Sequence, residues 1–176
     1  MKKIDFFKNK YVLVTGSSSG IGYEIAKDFL KRGCYVGVHY NKNKRGADNL
    51  VKFSDNNKCK LFKSDFSNSK NILKLWSNFC KWSKNRVDFL INNAGFTASR
   101  SFLEYKLEDW EKTIKINLTT PFILSQIISK SFMNSGGSII NITSLAAEQG
   151  FPNNVAYVSS KGGLKQLTKA MAIDLA

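Results

Sequence analysis

Tyr157 and Lys161 stand four residues apart, and Ser144 lies thirteen residues before the tyrosine. On a helix, residues four apart share a face, so the phenol and the ammonium would project together. A free tyrosine with a pKa of about 10 is a poor acid–base group near neutrality. A lysine held beside it would favour the phenolate. A serine hydroxyl at the same edge would hold a carbonyl oxygen in place. Near the N-terminus, Thr15-Gly16-Ser17-Ser18-Ser19-Gly20-Ile21-Gly22 follows the apolar run Tyr11–Val14 and opens a helical pattern. Glycines there let the backbone turn tightly and approach a pyrophosphate, and the helix that follows directs free N–H groups at it. A proton donor beside a dinucleotide site is what reduction of a carbonyl by a nicotinamide requires.

Alternating strand and helix patterns must position these groups. Strands are predicted at 11–14, 35–38, 60–62, 88–91 and 138–142. Helices are predicted at 21–31, 45–53, 71–82, 118–133 and 155–175. Compact apolar strands separated by amphipathic helices specify a mostly parallel, doubly wound α/β sheet in one domain covering 1–176. In such a sheet the ligand crevice lies at the C-terminal strand ends. Asn92-Asn93-Ala94-Gly95 follows the fourth strand, where side-chain amides can hold neighbouring backbone and Ala94-Gly95 leave room for a flat ring. Trp76, Trp82 and Trp110 read as packing residues.

The end of the second strand reads His39-Tyr40-Asn41-Lys42-Asn43-Lys44-Arg45, with no acid to bind a ribose 2′-hydroxyl. Basic residues there suit a 2′-phosphate, which favours NADP(H) over NAD(H). Asp65 and Phe66 follow the third strand, where Asp65 either borders the adenine or caps the next helix.

Bulk properties narrow the field. His39 is the sole histidine, which argues against a histidine-based triad or a multi-histidine metal site. Cys34, Cys59 and Cys80 form no Cys-x-x-Cys pair and read as buried thiols in a reducing, cytoplasmic compartment. No apolar run approaches the roughly 20 residues of a membrane span, and the basic start Met1–Lys8 lacks a signal-peptide core. Asn117-Leu118-Thr119 and Asn141-Ile142-Thr143 match the glycosylation pattern by chance in a cytoplasmic protein. The net charge of +14 raises nucleic-acid binding. The lysines are scattered without a recognition motif, so they read as a solvated surface.

Together the glycine segment 15–22, Asn92-Asn93-Ala94-Gly95, Asn117, Ser144, Tyr157 and Lys161 resemble the short-chain dehydrogenase/reductase family, in order and over essentially the whole chain. The segment 92–176 is similar to both 3-oxoacyl-acyl-carrier-protein reductases and sugar or gluconate dehydrogenases. The resemblance implies a Rossmann fold and an NAD(P)-dependent oxidoreductase acting on a small carbonyl or secondary alcohol. Tyr157, Lys161, Ser144 and Asn117 would be catalytic, with Asn117 organising a water relay from Lys161. The cofactor would meet Gly16, Ser18, Ser19, Gly20, Ile21, Gly22, Asn41, Asp65, Phe66, Asn93, Ala94, Gly95, Tyr157 and Lys161. The family pattern also implies a homodimer through the helices 118–133 and 155–175. It continues past this point into further strands and a substrate lid, whereas the chain stops at Asp174-Leu175-Ala176, leaving the fifth strand as an edge. The alternative is therefore a truncated, catalytically inactive dinucleotide-binding module.

Overall fold

A computed structural model describes residues 6–54, 57–132 and 136–176. Five parallel strands form one sheet in the order β3-β2-β1-β4-β5. They are β1 (Tyr11–Val14), β2 (Tyr35–Tyr40), β3 (Cys59–Lys63), β4 (Phe89–Asn92) and β5 (Ser138–Asn141). The helices are α1 (Gly20–Lys31), α2 (Lys44–Phe53), α3 (Ser69–Ser83), α4 (Leu107–Ile114), α5 (Thr120–Phe132) and α6 (Val155–Asp174). The chain steps outward from β1 to β2 to β3, then crosses to β4 on the other side of β1. The strand order therefore reverses between β1 and β4, which is where a doubly wound sheet opens a crevice.

The period of two in the strands divides the core. Val12 and Val14 of β1 pack with Val36, Val38 and Tyr40 of β2 and with Ala26, Leu30, Ala47 and Leu50 of α1 and α2. Leu13 points the other way, with Leu90, Phe62, Ile72, Leu75 and Phe79, and with Leu124 and Ile128 of α5. Both faces of β1 are thus covered, which is why that strand is apolar at every position. Each such fully buried side chain contributes roughly 1.5–3 kcal/mol. Trp76 and Trp82 pack against the second cluster as expected. Trp76 stacks on Phe79 at 5.8 Å.

The expected elements are present, with their described ends shifted by at most two residues. The fifth helix begins at Thr120 rather than 118, and its expected end at Met133 lies outside the described residues. The basic start at 1–5 also lies outside them. One helix was not anticipated: α4 is only eight residues long, with Thr113 as its buried position. Between α4 and α5 the backbone makes a single turn of π-helix over Lys115–Thr119, centred on the buried Asn117. Such a turn shifts side-chain direction within a continuous helix and recurs at functional sites.

β5 is a sheet edge. A groove of about 470 Å³ lies beside it, lined by Ile139, Asn141, Thr168 and Met171 among others. No helix among the described residues is long and apolar enough to cross a membrane.

Candidate active site

A crevice of about 730 Å³ opens at the C-terminal ends of β1, β2, β3 and β4. Of the expected cofactor residues, Gly16, Ser18, Ser19, Ile21, Asn41, Asp65, Phe66, Asn93, Ala94, Gly95, Tyr157 and Lys161 line it. Gly20 and Gly22 are not on its wall. Gly20 has φ +57°, a left-handed turn that glycine adopts without cost and other residues resist. At Gly22 a Cβ would come within 2.3 Å of the Asn93 amide nitrogen and 2.6 Å of the Gly16 carbonyl oxygen. Gly16 has φ +63°, and a Cβ there would lie 2.7 Å from the Ala94 Cα. The glycine loop therefore seats directly on the end of β4.

Thr15 and Asn93 fasten that contact. Thr15 Oγ1 donates to the Ile91 carbonyl at 3.2 Å and accepts from the Asn93 and Ala94 N–H groups at 2.9 and 3.0 Å. The Asn93 amide donates to the carbonyls of Thr15 and Gly16, both at 3.0 Å. α1 begins at Gly20 with no side-chain cap from Ser19 and no acid in its first turn. An N-terminus left this way offers N–H groups and a positive dipole end to an anion. A bulky side chain would fill the loop, and the first turn of α1 carries no acid to repel a phosphate, so these residues fit a dinucleotide's pyrophosphate.

The second-strand side contributes residues that sequence patterns did not single out. Gly16 N–H donates to His39 Nδ1 at 2.9 Å, and His39 Nε2 lies 3.1 Å from the Ser64 carbonyl oxygen. Asn43 caps α2 by accepting from Gly46 N–H and donates to the Ser18 carbonyl, both at 3.0 Å. A Cβ on Gly46 would come 2.0 Å from that same Ser18 oxygen. The only local signals were an N-cap-type asparagine and a glycine in a first helical turn. Of the three cations after β2, Lys42 lines the crevice, while Lys44 pairs with Asp48 along α2. Asp65 does not cap α3, a role that Asn68 fills. Its carboxylate accepts from Ser67 N–H at 2.9 Å. That bond is the first cause holding its pKa below the usual value, with Lys112 and Asn41 adding to it. Lys112 also lines the crevice, with its ammonium 4.3 Å from the centre of the Phe96 ring.

Tyr157 and Lys161 come from α6, one turn apart. The Lys161 ammonium lies 5.7 Å from the centre of the Tyr157 ring and donates to the Ile142 carbonyl at 2.7 Å. Lys161 is almost fully buried, and desolvation pushes its pKa below the usual lysine value. Ser144 caps the short turn Leu145–Ala147 by accepting from Ala146 N–H at 3.1 Å. Its hydroxyl keeps its own proton to donate. Asn117 is fully buried and lies behind the crevice wall. It accepts from Phe96 N–H at 2.8 Å and donates to the Phe96 carbonyl and Ser160 Oγ at 2.9 and 3.0 Å. Asn117 therefore ties the segment after β4 to α6, setting Tyr157 and Lys161 against Asn93-Ala94-Gly95.

A family model described as short chain dehydrogenase matches residues 10–176. The chain belongs to the short chain dehydrogenase family. Among curated members, it is 35% identical over 172 residues to a 3beta-hydroxysteroid dehydrogenase of Mediterraneibacter gnavus, covering 97% of this chain and 62% of that protein. It is 35% identical over 168 residues to a 3-oxoacyl-[acyl-carrier-protein] reductase of Synechocystis, covering 93% and 67%. A solved 4-hydroxyisoleucine dehydrogenase complexed with NADH superposes with TM-score 0.86 at 33% identity, covering 94% of this chain and 68% of that one. The chain thus spans roughly two thirds of these family members' length.

His39 makes a pH prediction. It is buried, and burial lowers its pKa from 6.5 to about 4. Below pH 6.5 the unfolded chain takes up a proton that the folded chain refuses until about pH 4. Stability therefore falls as pH drops through that window, by at most on the order of 3 kcal/mol. Chemical denaturation from pH 7 to 4.5 checks this against His39→Asn, which keeps an acceptor but cannot titrate. The wild type should lose more stability than the variant; parallel losses contradict the assignment.

Proposed function

We propose that residues 1–176 form the NAD(P)-binding Rossmann unit of an oxidoreductase that interconverts a carbonyl and a secondary alcohol, with the substrate lid outside this segment. The observation that carries this reading is that Tyr157 and Lys161 line the same crevice as the glycine loop and Asn93-Ala94-Gly95. When bound, the nicotinamide supplies or accepts the hydride. In the reductive direction Tyr157 gives its phenolic proton to the carbonyl oxygen, and in the oxidative direction it takes the alcohol proton. Ser144 donates a hydrogen bond to the same oxygen and fixes its position. Lys161 holds a buried positive charge beside the phenol and is free to exchange the Ile142 carbonyl for a cofactor hydroxyl. Asn117 keeps α6 in register with the end of β4 and, as the family resemblance implies, organises the water relay that replenishes the proton.

The test is turnover by the full chain, followed as NADPH oxidation with 3-oxoacyl thioesters and oxosteroids and as NADP+ reduction with sugars, polyols and hydroxysteroids. Tyr157→Phe should cut kcat by at least about 10²-fold, the range for general acid–base groups, with unchanged cofactor Kd and thermal midpoint. Retained activity in that variant overturns the role. Binding without turnover by the wild type supports the inactive module instead.

Lys42 supports NADPH over NADH, because it places a cation at the crevice rim where an acid would select NADH. Lys42→Glu should weaken NADPH binding by about tenfold or more and leave NADH nearly unchanged. Equal weakening of both in fluorescence titration contradicts the preference.

The family resemblance and the exposed apolar side chains Phe122 on α5 and Ile173 on α6 support a homodimer through these two helices. A cytoplasmic location fits the three free thiols. Light scattering should give twice the 19.8 kDa chain mass; a monomer at all concentrations rejects the pairing.

A further inference from the structure

His39 sits at a junction that a core-filling residue would not need. It occupies β2 with its side chain at the crevice wall, yet it is 3% exposed. Its two ring nitrogens meet partners of opposite kind. Gly16 N–H can only donate, so Nδ1 must accept; the Ser64 carbonyl can only accept, so Nε2 must carry the hydrogen. One neutral tautomer satisfies both, and neither the other tautomer nor the imidazolium does. The ring also stacks on Phe66 with centroids 4.1 Å apart and planes 15° from parallel. Its own carbonyl accepts from Ser17 N–H at 2.9 Å. A single residue thereby joins the first turn of the glycine loop to the ends of β2 and β3.

We propose that His39 is a positioning residue for dinucleotide binding, holding the Gly16 backbone in its left-handed turn through Nδ1 so that the glycine loop is preformed for the pyrophosphate. The inference rests on the dinucleotide reading of this crevice. The physical need is clear from the loop. Gly16 is free to adopt many conformations, and ordering it on binding would weaken affinity. An acceptor fixed by a second hydrogen bond and a stacked ring removes that cost before the ligand arrives. An aliphatic residue of similar size would fill the space but leave the Gly16 N–H without its partner, at a cost typical of an unpaired buried donor.

Two variants and one spectrum test this on the full chain. His39→Leu should fold, as judged by circular dichroism, and should bind NADPH about tenfold or more weakly. His39→Asn, whose Oδ1 can take the place of Nδ1, should recover most of that loss. In ¹⁵N-labelled wild type, imidazole NMR at pH 7 should show the neutral ring with hydrogen on Nε2, and the Gly16 amide should exchange slowly. Unchanged NADPH affinity in His39→Leu overturns the proposal, as does equal weakening in both variants. A spectrum with hydrogen on Nδ1 overturns it even if neither variant folds. If the wild type binds neither NADPH nor NADH, the dinucleotide reading itself fails. The tautomer and the Gly16 exchange rate would then still show whether the brace exists as a structural contact alone.

Discussion

The site depends on one close approach, between the glycine loop after β1 and the backbone at the end of β4. The loop can come this near only because Gly16 and Gly22 lack side chains: a Cβ on either would sit inside the contact distance of Ala94 or Asn93. Thr15 and Asn93 then exchange hydrogen bonds across the gap. The reversal of strand order between β1 and β4 brings those two chain segments together. Fold and site are thus one arrangement, since the topology that buries both faces of β1 also opens the crevice above it.

A second constraint brings the reactive side chains to this cradle. The π turn at Lys115–Thr119 directs Asn117 inward, where it bonds Phe96 on one side and Ser160 on the other. The contact is tight: a Cβ on Gly163 of α6 would come 2.8 Å from Leu118. α6 is therefore held at fixed depth, and the one-turn spacing of Tyr157 and Lys161 places both on its crevice side. The phenol and ammonium owe their position to this wall as much as to their own helix.

What the sequence revealed follows from the range of each interaction. The glycine loop and the Tyr157–Lys161 pair were legible because their signals are local: residue types that few other backbone states need, at fixed spacing. The strands were legible from short apolar runs. α4 escapes the sequence pattern because it is only eight residues long and buries a single residue, the polar Thr113. The π turn was missed because nothing local distinguishes it from the start of α5. His39, Asn43 and Gly46 were missed because their partners lie about 23–28 residues back along the chain, on Gly16 and Ser18. As the sole histidine, His39 argues against metal or triad chemistry, and the bracing role proposed for it rests on two tertiary hydrogen bonds. Asp65 had two readings, and the structure removes the capping one by giving that role to Asn68.

The most direct test is hydrogen–deuterium exchange of the full chain with and without saturating NADPH. A preformed dinucleotide cradle predicts slowed exchange at 15–22, 39–43 and 93–96, with the β5 edge at 138–141 unaffected. Protection confined to the β5 groove, or no change anywhere, would contradict it.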